Sequence, residues 1–249
     1  MKVFSVIGLH HSGKTTTCEN IIRYIKQQGV SVSSIKDIHQ ENFTMEKAGS
    51  NSQRHLLASG NCVFARGHKE TYLIWNRQLS LKEMLSHLNS EWVVIEGIKD
   101  SPLPKIIAAK NQEEVESLID DRVFAITGIF SEGKSEFMGI PCINAVNDTD
   151  TLGKLVMEKV FPVLPFSGAG YCGHCGFNCY DMTAKILKGE KTRDDCGMKK
   201  TGKITIKFND EEVVLNEWVQ TLTIDMVLAL CKNLKGYKEG DGVKLEIRN

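Results

Sequence analysis

An eight-residue stretch near the start of the chain has the composition of a phosphate-binding loop. Residues 8–15 read GLHHSGKT, with a glycine at each end of the turn and Lys-Thr at its close. Glycines let the backbone approach phosphate oxygens, and a following helix points its positive end at the same anion. The lysine suits nucleotide phosphates and the threonine hydroxyl suits Mg²⁺. The predicted nucleotide ligands are Gly8, His10, His11, Ser12, Gly13, Lys14, Thr15 and Thr16.

Two acidic residues at the ends of predicted strands are candidates for binding the Mg²⁺ ion of a nucleotide site. Glu96 ends the apolar run WVVIE, and Asp37 follows the run SSIK. Open α/β sheets bind ligands at the carboxyl ends of their strands. We therefore predict that Thr15, Glu96 and Asp37 hold Mg²⁺, and that Lys14 and Glu96 are the catalytic residues of a weak nucleotide hydrolase. The alternative is a surface glutamate that merely ends a strand.

The polar segment from residue 34 to residue 60 is rich in lysine, histidine and arginine. Such segments on α/β proteins often line the ligand crevice. Lys36, His39 and Arg54 are therefore candidate contacts for an anionic ligand. Taken singly, each is more often a solvated side chain.

Four cysteines have the spacing of metal ligands. Cys172, Cys175 and Cys179 are close together, and Cys196 follows after sixteen intervening residues. Structural zinc sites usually combine two Cys-x-x-Cys pairs, whereas one pair with a third nearby and a fourth distant cysteine is common in 4Fe-4S ligation. Glycines follow three of the four and allow N–H groups to face cluster sulfur. We predict a 4Fe-4S cluster, with zinc as the lesser alternative and unligated thiols as the last.

The elements that must position these residues follow an α/β pattern. The runs VFSVIG, VSVSSIK, WVVIEGIK, KIIAAK and RVFAITGIF predict strands, and KTTTCENIIRYIKQQG and LKEMLSHL predict helices. This alternation is typical of a mostly parallel sheet covered by helices, here a P-loop NTPase. The neighbouring runs NCVFARG and TYLIWN predict a hairpin that adds an antiparallel edge to the sheet.

Three parts are expected along the chain. A nucleotide-binding domain covers residues 1–165, closed by a helix in DTLGKLVMEKVF and followed by a linker in PVLPFSGAG. A four-cysteine segment covers residues 166–200, with a short helix in YDMTAKILKGE. Residues 201–249 predict a small α+β module that contains a hairpin, the helix EWVQTLTIDMVLALCKNL and a last strand, GVKLEIR.

Composition excludes several classes of function. Thirty-one basic residues balance thirty-one acidic residues, so no overall field attracts nucleic acid or an anionic membrane. No run approaches the roughly 20 apolar residues that span a bilayer. We therefore predict a cytoplasmic protein without nucleic-acid or membrane partners. In that compartment Cys18, Cys62, Cys142 and Cys231 are expected to be core residues rather than disulfides.

Four segments together resemble the molybdopterin-guanine dinucleotide biosynthesis protein B family, GTP-binding P-loop proteins of late molybdenum-cofactor assembly. They are VIGLHHSGKTT, SIKDIH, SNSQRHLLASG and VVIEGIKDSPLPKI, and the likeness covers roughly residues 1–165. The resemblance implies that Gly13, Lys14 and Thr15 hold phosphates and Mg²⁺, that Glu96 serves the metal, and that Lys99 lies near the cofactor pocket. Separately, CGHCGFNCYDMTAKILKGE with Cys196 resembles the 4Fe-4S domain of corrinoid iron-sulfur proteins.

The family resemblance also implies partners. These are molybdopterin or its guanine dinucleotide, a protein that transfers the guanylyl group, and a second copy of the chain in a homodimer. A metalloenzyme that receives the cofactor is a further expected partner. The chain contains no Asn-Lys-x-Asp motif and has Thr127-Gly128 where many members have Ser-Asp. Its residues therefore leave GTP and ATP open, and the resemblance favours GTP.

Three functions fit these features. The favoured one is a GTP-binding adaptor with slow GTPase activity in molybdenum or tungsten cofactor biosynthesis, in which the cluster supplies structure, redox control or a docking surface. The second is a nucleotide-driven electron-transfer protein that resembles the nitrogenase iron protein, but Leu9 stands where those proteins have a lysine. The third is a non-catalytic redox sensor that uses the nucleotide as a conformational ligand.

Overall fold

A computed structural model describes residues 1–40, 43–166, 175–196, 206–208, 211–213 and 217–234. The strands are β1 (Lys2–Ile7), β2 (Val32–Lys36), β3 (Cys62–Arg66), β4 (Thr71–Trp75), β5 (Trp92–Glu96), β6 (Lys105–Ala108), β7 (Val123–Thr127), β8 (Glu136–Phe137), β9 (Ile140–Pro141), β10 (Ile206–Phe208) and β11 (Glu211–Val213). The helices are α1 (Lys14–Gln27), α2 (Asn51–Ser59), α3 (Leu81–Ser86), α4 (Gln112–Glu116), α5 (Thr149–Lys159), α6 (Cys179–Leu187) and α7 (Glu217–Cys231).

The central sheet has five strands in the order β2-β5-β1-β6-β7, and every neighbouring pair is parallel. This confirms the predicted α/β fold with a mostly parallel sheet. The middle strands are apolar almost throughout because both faces of the sheet are covered, as Val93, Val94 and Ile95 on β5 show by their complete burial. The carboxyl ends of β1, β2 and β5 meet at the edge where the phosphate loop begins.

Helices α1 and α5 cover one face of this sheet. The apolar positions of α1 recur three or four residues apart, so Cys18, Ile21 and Ile25 share one side of the helix and pack against sheet residues. Leu152 and Val156 of α5 enter the same cluster. The helix that follows the phosphate loop is therefore fixed against the core along much of its length.

The opposite face is covered partly by a segment without helical structure. Residues 97–104 connect β5 to β6 across β1, a parallel connection that usually contains a helix. Leu103 of this crossover segment packs with Val93 and Ile95, and Ser5 Oγ donates a hydrogen bond of 2.7 Å to the Ile98 carbonyl. The segment thus runs from the carboxyl edge of the sheet back to its amino edge in direct contact with the strands.

Two local expectations differ from the structure. Strands β3 and β4 form the predicted hairpin, but they make a separate two-stranded sheet rather than an antiparallel edge of the central one. The run PVLPFSGAG was expected to be a linker, yet Val163 N donates to the Met1 carbonyl at 3.1 Å and Leu164 is buried. Val163 and Phe166 therefore pack on the central sheet, whereas Leu164 packs with residues of the cysteine segment. Residues 167–170 lie outside the described part.

The C-terminal part contains the expected antiparallel pair β10–β11 and the helix α7. The predicted strand GVKLEIR lies outside the described residues. Within the described ranges, no helix is both long enough and apolar enough to cross a membrane.

Candidate functional site

The phosphate loop forms the turn between β1 and α1. Gly8 is needed because a Cβ atom there would collide with the Ala108 carbonyl oxygen and Ser12 Oγ. Gly13 precedes α1 with φ 95°, and His11 also has a positive φ of 56°. A left-handed residue other than glycine costs on the order of 1 kcal/mol and is typical of functional sites. The loop therefore has a backbone that suits inward-pointing N–H groups.

Ser12 adds an unsatisfied polar group to this loop. Its hydroxyl oxygen is buried and has no hydrogen-bond partner within the described residues. A buried hydroxyl without a partner costs about 1–3 kcal/mol. A phosphate oxygen in the loop would accept its proton, so the orphaned hydroxyl fits an anionic ligand.

Three side chains meet beside the loop at the carboxyl ends of β2 and β5. Thr15 Oγ1 donates to Glu96 Oε1 at 2.9 Å, and Lys36 Nζ lies 3.0 Å from the same carboxylate oxygen. Lys36 Nζ is also 3.4 Å from Thr15 Oγ1. Lys36 and Glu96 are register partners on adjacent parallel strands, which explains why residues sixty positions apart meet. The structure thus brings the predicted metal ligands Thr15 and Glu96 into contact.

The Thr15–Glu96 pair has the spacing of two metal ligands. Mg²⁺ binds oxygens in octahedral geometry at about 2.1 Å, so two adjacent ligands are about 3.0 Å apart. The two oxygens in this structure are 2.9 Å apart. A hydroxyl and a carboxylate are also the hard donors that Mg²⁺ prefers. The residues present therefore fit a magnesium site, and the Lys36 ammonium marks the position as one that attracts a cation.

Lys14 lies in the same electrostatic environment. Burial lowers the pKa of its ammonium, the Glu96 carboxylate opposes this effect, and the positive charges of Lys99 and Lys36 add to the lowering. Lys14 Nζ also donates to the Leu9 carbonyl within the loop. The expected place of Lys99 near the cofactor pocket stays a prediction.

The other predicted residues lie at different distances from this centre. Asp37 N donates to the Glu96 carbonyl at 2.8 Å, and the Asp37 carboxylate lies 3.7 Å from His39 Nε2. Asp37 and His39 therefore border Glu96. His10 and Thr16 are exposed on the loop and the first turn of α1, whereas Arg54 is exposed on α2.

Sequence reasoning missed the residues on the other side of the loop. Lys110, just after β6, donates to the His10 carbonyl at 3.3 Å and pairs with Glu114 at 3.0 Å. After β7, Gly128 has φ 86°, and a Cβ atom there would lie 2.8 Å from the Ser12 carbonyl oxygen. Gly128 was marked by its place after a predicted strand and by the departure of Thr127-Gly128 from the Ser-Asp pair of many family members, but neither signal indicated its close approach to Ser12. Lys110 showed no distinguishing pattern.

The described cysteines of the four-cysteine segment share one apolar cluster. Cys179 and Cys196 are buried with Leu164 and Met182, and Cys175 packs against them. Cys172 lies outside the described residues. Within the described residues, no group of three or more His, Cys, Asp or Glu side chains is arranged to hold a metal ion. The apolar cluster brings Cys175, Cys179 and Cys196 into one small region. Metal binding by the four cysteines stays a prediction.

The cysteine segment is packed onto the crossover segment that follows Glu96. Thr183 Oγ1 of α6 donates a buried hydrogen bond of 2.8 Å to the Pro102 carbonyl, and Tyr180 OH donates to Asp100 Oδ1 at 3.0 Å. Arg122 lies 4.6 Å from the centre of the Tyr180 ring and donates to the Ser101 carbonyl at 2.6 Å. Helix α6 therefore contacts the chain four to six residues beyond a proposed Mg²⁺ ligand.

Comparison with protein families identifies the domain that contains the phosphate loop. The family model for molybdopterin guanine dinucleotide synthesis protein B matches residues 3–129, just over half of the chain. The chain belongs to this family. The synthesis protein B match includes the phosphate loop, Lys36, Glu96 and the crossover segment.

Individual relatives show how far the likeness extends. A Methanocaldococcus jannaschii protein described as a putative molybdopterin-guanine dinucleotide biosynthesis adapter protein is 26% identical over 99% of this chain and 97% of its own length. A probable adapter protein of the same description from Bacillus subtilis is 27% identical over 57% of this chain and 85% of its own. The M. jannaschii alignment therefore continues through the cysteine segment.

A solved structure of the synthesis protein B family has the same fold. The crystal structure of Bacillus subtilis MobB superposes with a TM-score of 0.53 and 25% sequence identity, and it covers 66% of this chain and 100% of the Bacillus chain. The central α/β domain is therefore the common part. About a third of this chain has no counterpart in that structure.

Proposed function

We propose that this chain binds GTP with Mg²⁺ at the phosphate loop and acts as an adapter in molybdopterin-guanine dinucleotide biosynthesis, with slow hydrolysis of the bound nucleotide. The observation that carries the nucleotide part is the Thr15–Glu96 oxygen pair, 2.9 Å apart beside the loop. The biosynthetic role rests on family membership and on the relatives described as adapter proteins. The preference for GTP over ATP rests on the family resemblance.

The roles of the residues follow from their positions. The loop N–H groups and the Ser12 hydroxyl would bind phosphate oxygens, and Lys14 would bring its charge to the terminal phosphates. Thr15 and Glu96 would hold Mg²⁺, with Asp37 bordering the site. When bound, the metal supplies positive charge for the phosphate oxygens.

The proposed partners follow from the same role. They are molybdopterin or its guanine dinucleotide, a guanylyl-transferring protein, and a metalloenzyme that accepts the finished cofactor, all in the cytoplasm. A homodimer is also proposed. The β3–β4 hairpin supports it because this hairpin stands outside the central sheet and exposes Phe64 by 69% and Tyr72 by 45%. Large exposed apolar groups of this kind often mark protein interfaces.

We also propose that Cys172, Cys175, Cys179 and Cys196 hold a 4Fe-4S cluster. The support is the apolar cluster around Cys175, Cys179 and Cys196, because Fe–S clusters are held by thiolates in sites whose solvent exposure is restricted. Zinc is the alternative metal. The bound metal group would stabilise the cysteine segment, which packs on residues 100–102, and would take no part in the nucleotide chemistry.

Nucleotide binding is tested with Lys14→Ala. Titration calorimetry with GTP, and separately with ATP, should show saturable Mg²⁺-dependent binding to the wild type and a loss of at least about 100-fold in affinity in the variant, because the lysine supplies charge at close range. Lys26→Ala, an exposed lysine at the far end of the same helix, should bind like the wild type. Equal affinity in Lys14→Ala and wild type would refute the assignment of the loop.

The metal is tested on protein purified without oxygen. A 4Fe-4S protein is brown and contains about four iron and four sulfide per chain, and Cys175→Ser should lose both colour and iron. Cys62→Ser, in the separate β3–β4 hairpin, should retain them. A colourless protein with one zinc per chain would show that the four cysteines hold zinc instead of a 4Fe-4S cluster.

A further inference from the structure

Lys36 lies at the position that the proposed function assigns to Mg²⁺. Its Nζ is 3.0 Å from Glu96 Oε1 and 3.4 Å from Thr15 Oγ1, and those two oxygens are 2.9 Å apart. The three atoms therefore form a compact triangle. An ammonium and a divalent cation are attracted by the same pair of oxygens, and both cannot occupy this space because like charges a few ångströms apart repel strongly.

The side chain of Lys36 is free to leave this position. It is 54% exposed, whereas Glu96 is only 13% exposed. Lysine has a flexible four-carbon stem, so its charged end can move several ångströms without any change in β2. Glu96 instead ends strand β5 of the central sheet, whose residues before it are buried. The mobile member of the triangle is thus the lysine.

The surroundings indicate where the ammonium would go. The charges of Lys36 and Lys99 both act on Lys14, so three lysines share the region of the Glu96 carboxylate and the neighbouring Asp37 carboxylate. If a divalent cation entered while Lys36 remained beside Glu96, this excess of positive charge would increase. Phosphate oxygens in the loop would supply the negative charge that receives the displaced ammonium.

We propose that Lys36 is a resident counter-cation that competes with Mg²⁺ for the Thr15–Glu96 pair and moves to the terminal phosphate when metal and nucleotide bind together. This inference rests on the proposed Mg²⁺ role of Thr15 and Glu96. Lys36 keeps the carboxylate and hydroxyl in their binding positions and disfavours entry of the metal alone. Metal binding is thereby made dependent on the nucleotide.

The test measures binding of Mn²⁺ alone, as the probe for Mg²⁺, to protein without nucleotide. Electron paramagnetic resonance of free Mn²⁺ gives the affinity directly. Lys36→Met keeps the stem length and removes the charge, and it should bind Mn²⁺ at least about tenfold more tightly than the wild type. Lys36→Arg keeps the charge and should bind as weakly as the wild type. Glu96→Gln added to Lys36→Met should abolish the gain.

Controls separate this inference from the proposed function. Lys26→Met changes the net charge equally at an exposed position far along α1 and should leave Mn²⁺ affinity unchanged. Equal Mn²⁺ affinity in Lys36→Met and wild type overturns the counter-cation role, even when GTP binding still depends on Lys14. Failure of GTP to bind the wild type refutes the nucleotide function, whereas the measurement with Mn²⁺ alone still decides the role of Lys36. Thermal melts of all variants show whether each remains folded.

Discussion

Replacement of Thr183 by valine tests whether the cysteine segment is an energetic part of the nucleotide-binding domain. The Thr183 side chain is fully buried, and its hydroxyl donates to the Pro102 carbonyl at 2.8 Å. Valine has nearly the same shape, so the change removes the hydrogen bond without opening a cavity. The Pro102 carbonyl is then left without this donor in a buried position.

The expected loss follows from that geometry. A buried acceptor that loses its partner costs about 1–3 kcal/mol. In a chain of this size, each kcal/mol corresponds to roughly 2–4 °C in the melting temperature. The variant should therefore melt about 2–12 °C below the wild type. The two parts should still unfold together if the contact between α6 and the crossover segment is a true core contact.

Thermal unfolding followed by circular dichroism measures this shift. Thr151→Val supplies a matched control because it makes the same change at an exposed position on α5, and surface changes of this kind usually alter stability by no more than about 0.5 kcal/mol. Thr183→Val that melts like Thr151→Val would contradict the claim that the cysteine segment stabilises the nucleotide domain.

Two further predictions concern the core around the loop. Gly128→Ala should destabilise the protein and weaken nucleotide binding, because the added Cβ would lie 2.5 Å from the Ala109 carbonyl oxygen. Gly133 also has a positive φ but open space around it, so Gly133→Ala should cost only the backbone strain. Denaturant titrations measure both losses of stability, and equal losses would exclude the steric effect at Gly128. Burial, with a smaller contribution from the Glu96 carboxylate, raises the pKa of the Cys18 thiol from 9.0 to about 12. Because the folded-state pKa is the higher one, the stability contributed by the neutral thiol is complete below about pH 9 and is lost as the pH rises to about 12. Between about pH 9 and pH 12, the urea midpoint should fall less steeply with pH in Cys18→Ala than in the wild type. Identical pH dependence of the two midpoints would contradict the raised pKa of Cys18.

Much of the nucleotide-binding domain could be predicted because its signals are local. The phosphate loop, the strand before it and the amphipathic helix after it are adjacent in sequence, and each supports the others. Glu96 could be placed because a carboxylate at the end of a buried strand must emerge at the carboxyl edge of the sheet. Its contact with Thr15 then follows from the pairing of β1 with β5.

The remaining features depend on contacts between distant residues. The position of Lys36 between Glu96 and Thr15 requires the register of β2 against β5, which the sequence of β2 alone does not specify. The hairpin β3–β4 has the same local pattern whether or not it joins the central sheet. Likewise, the apolar residues before position 167 resemble a linker because prolines interrupt them, although Val163 and Phe166 pack beside Val3 of β1 and Leu164 packs with the cysteine segment.

The crossover segment has a consequence for synthesis of the protein. Its Pro102 carbonyl is covered by Thr183, which lies 81 positions later in the chain. At a translation rate of about 5–20 residues per second, roughly 4–16 seconds separate the emergence of these two residues from the ribosome. During that interval the sheet and phosphate loop can form while this surface still awaits its cover. The nascent chain is therefore expected to be most sensitive to proteases and most dependent on chaperones between completion of β7 and emergence of α6.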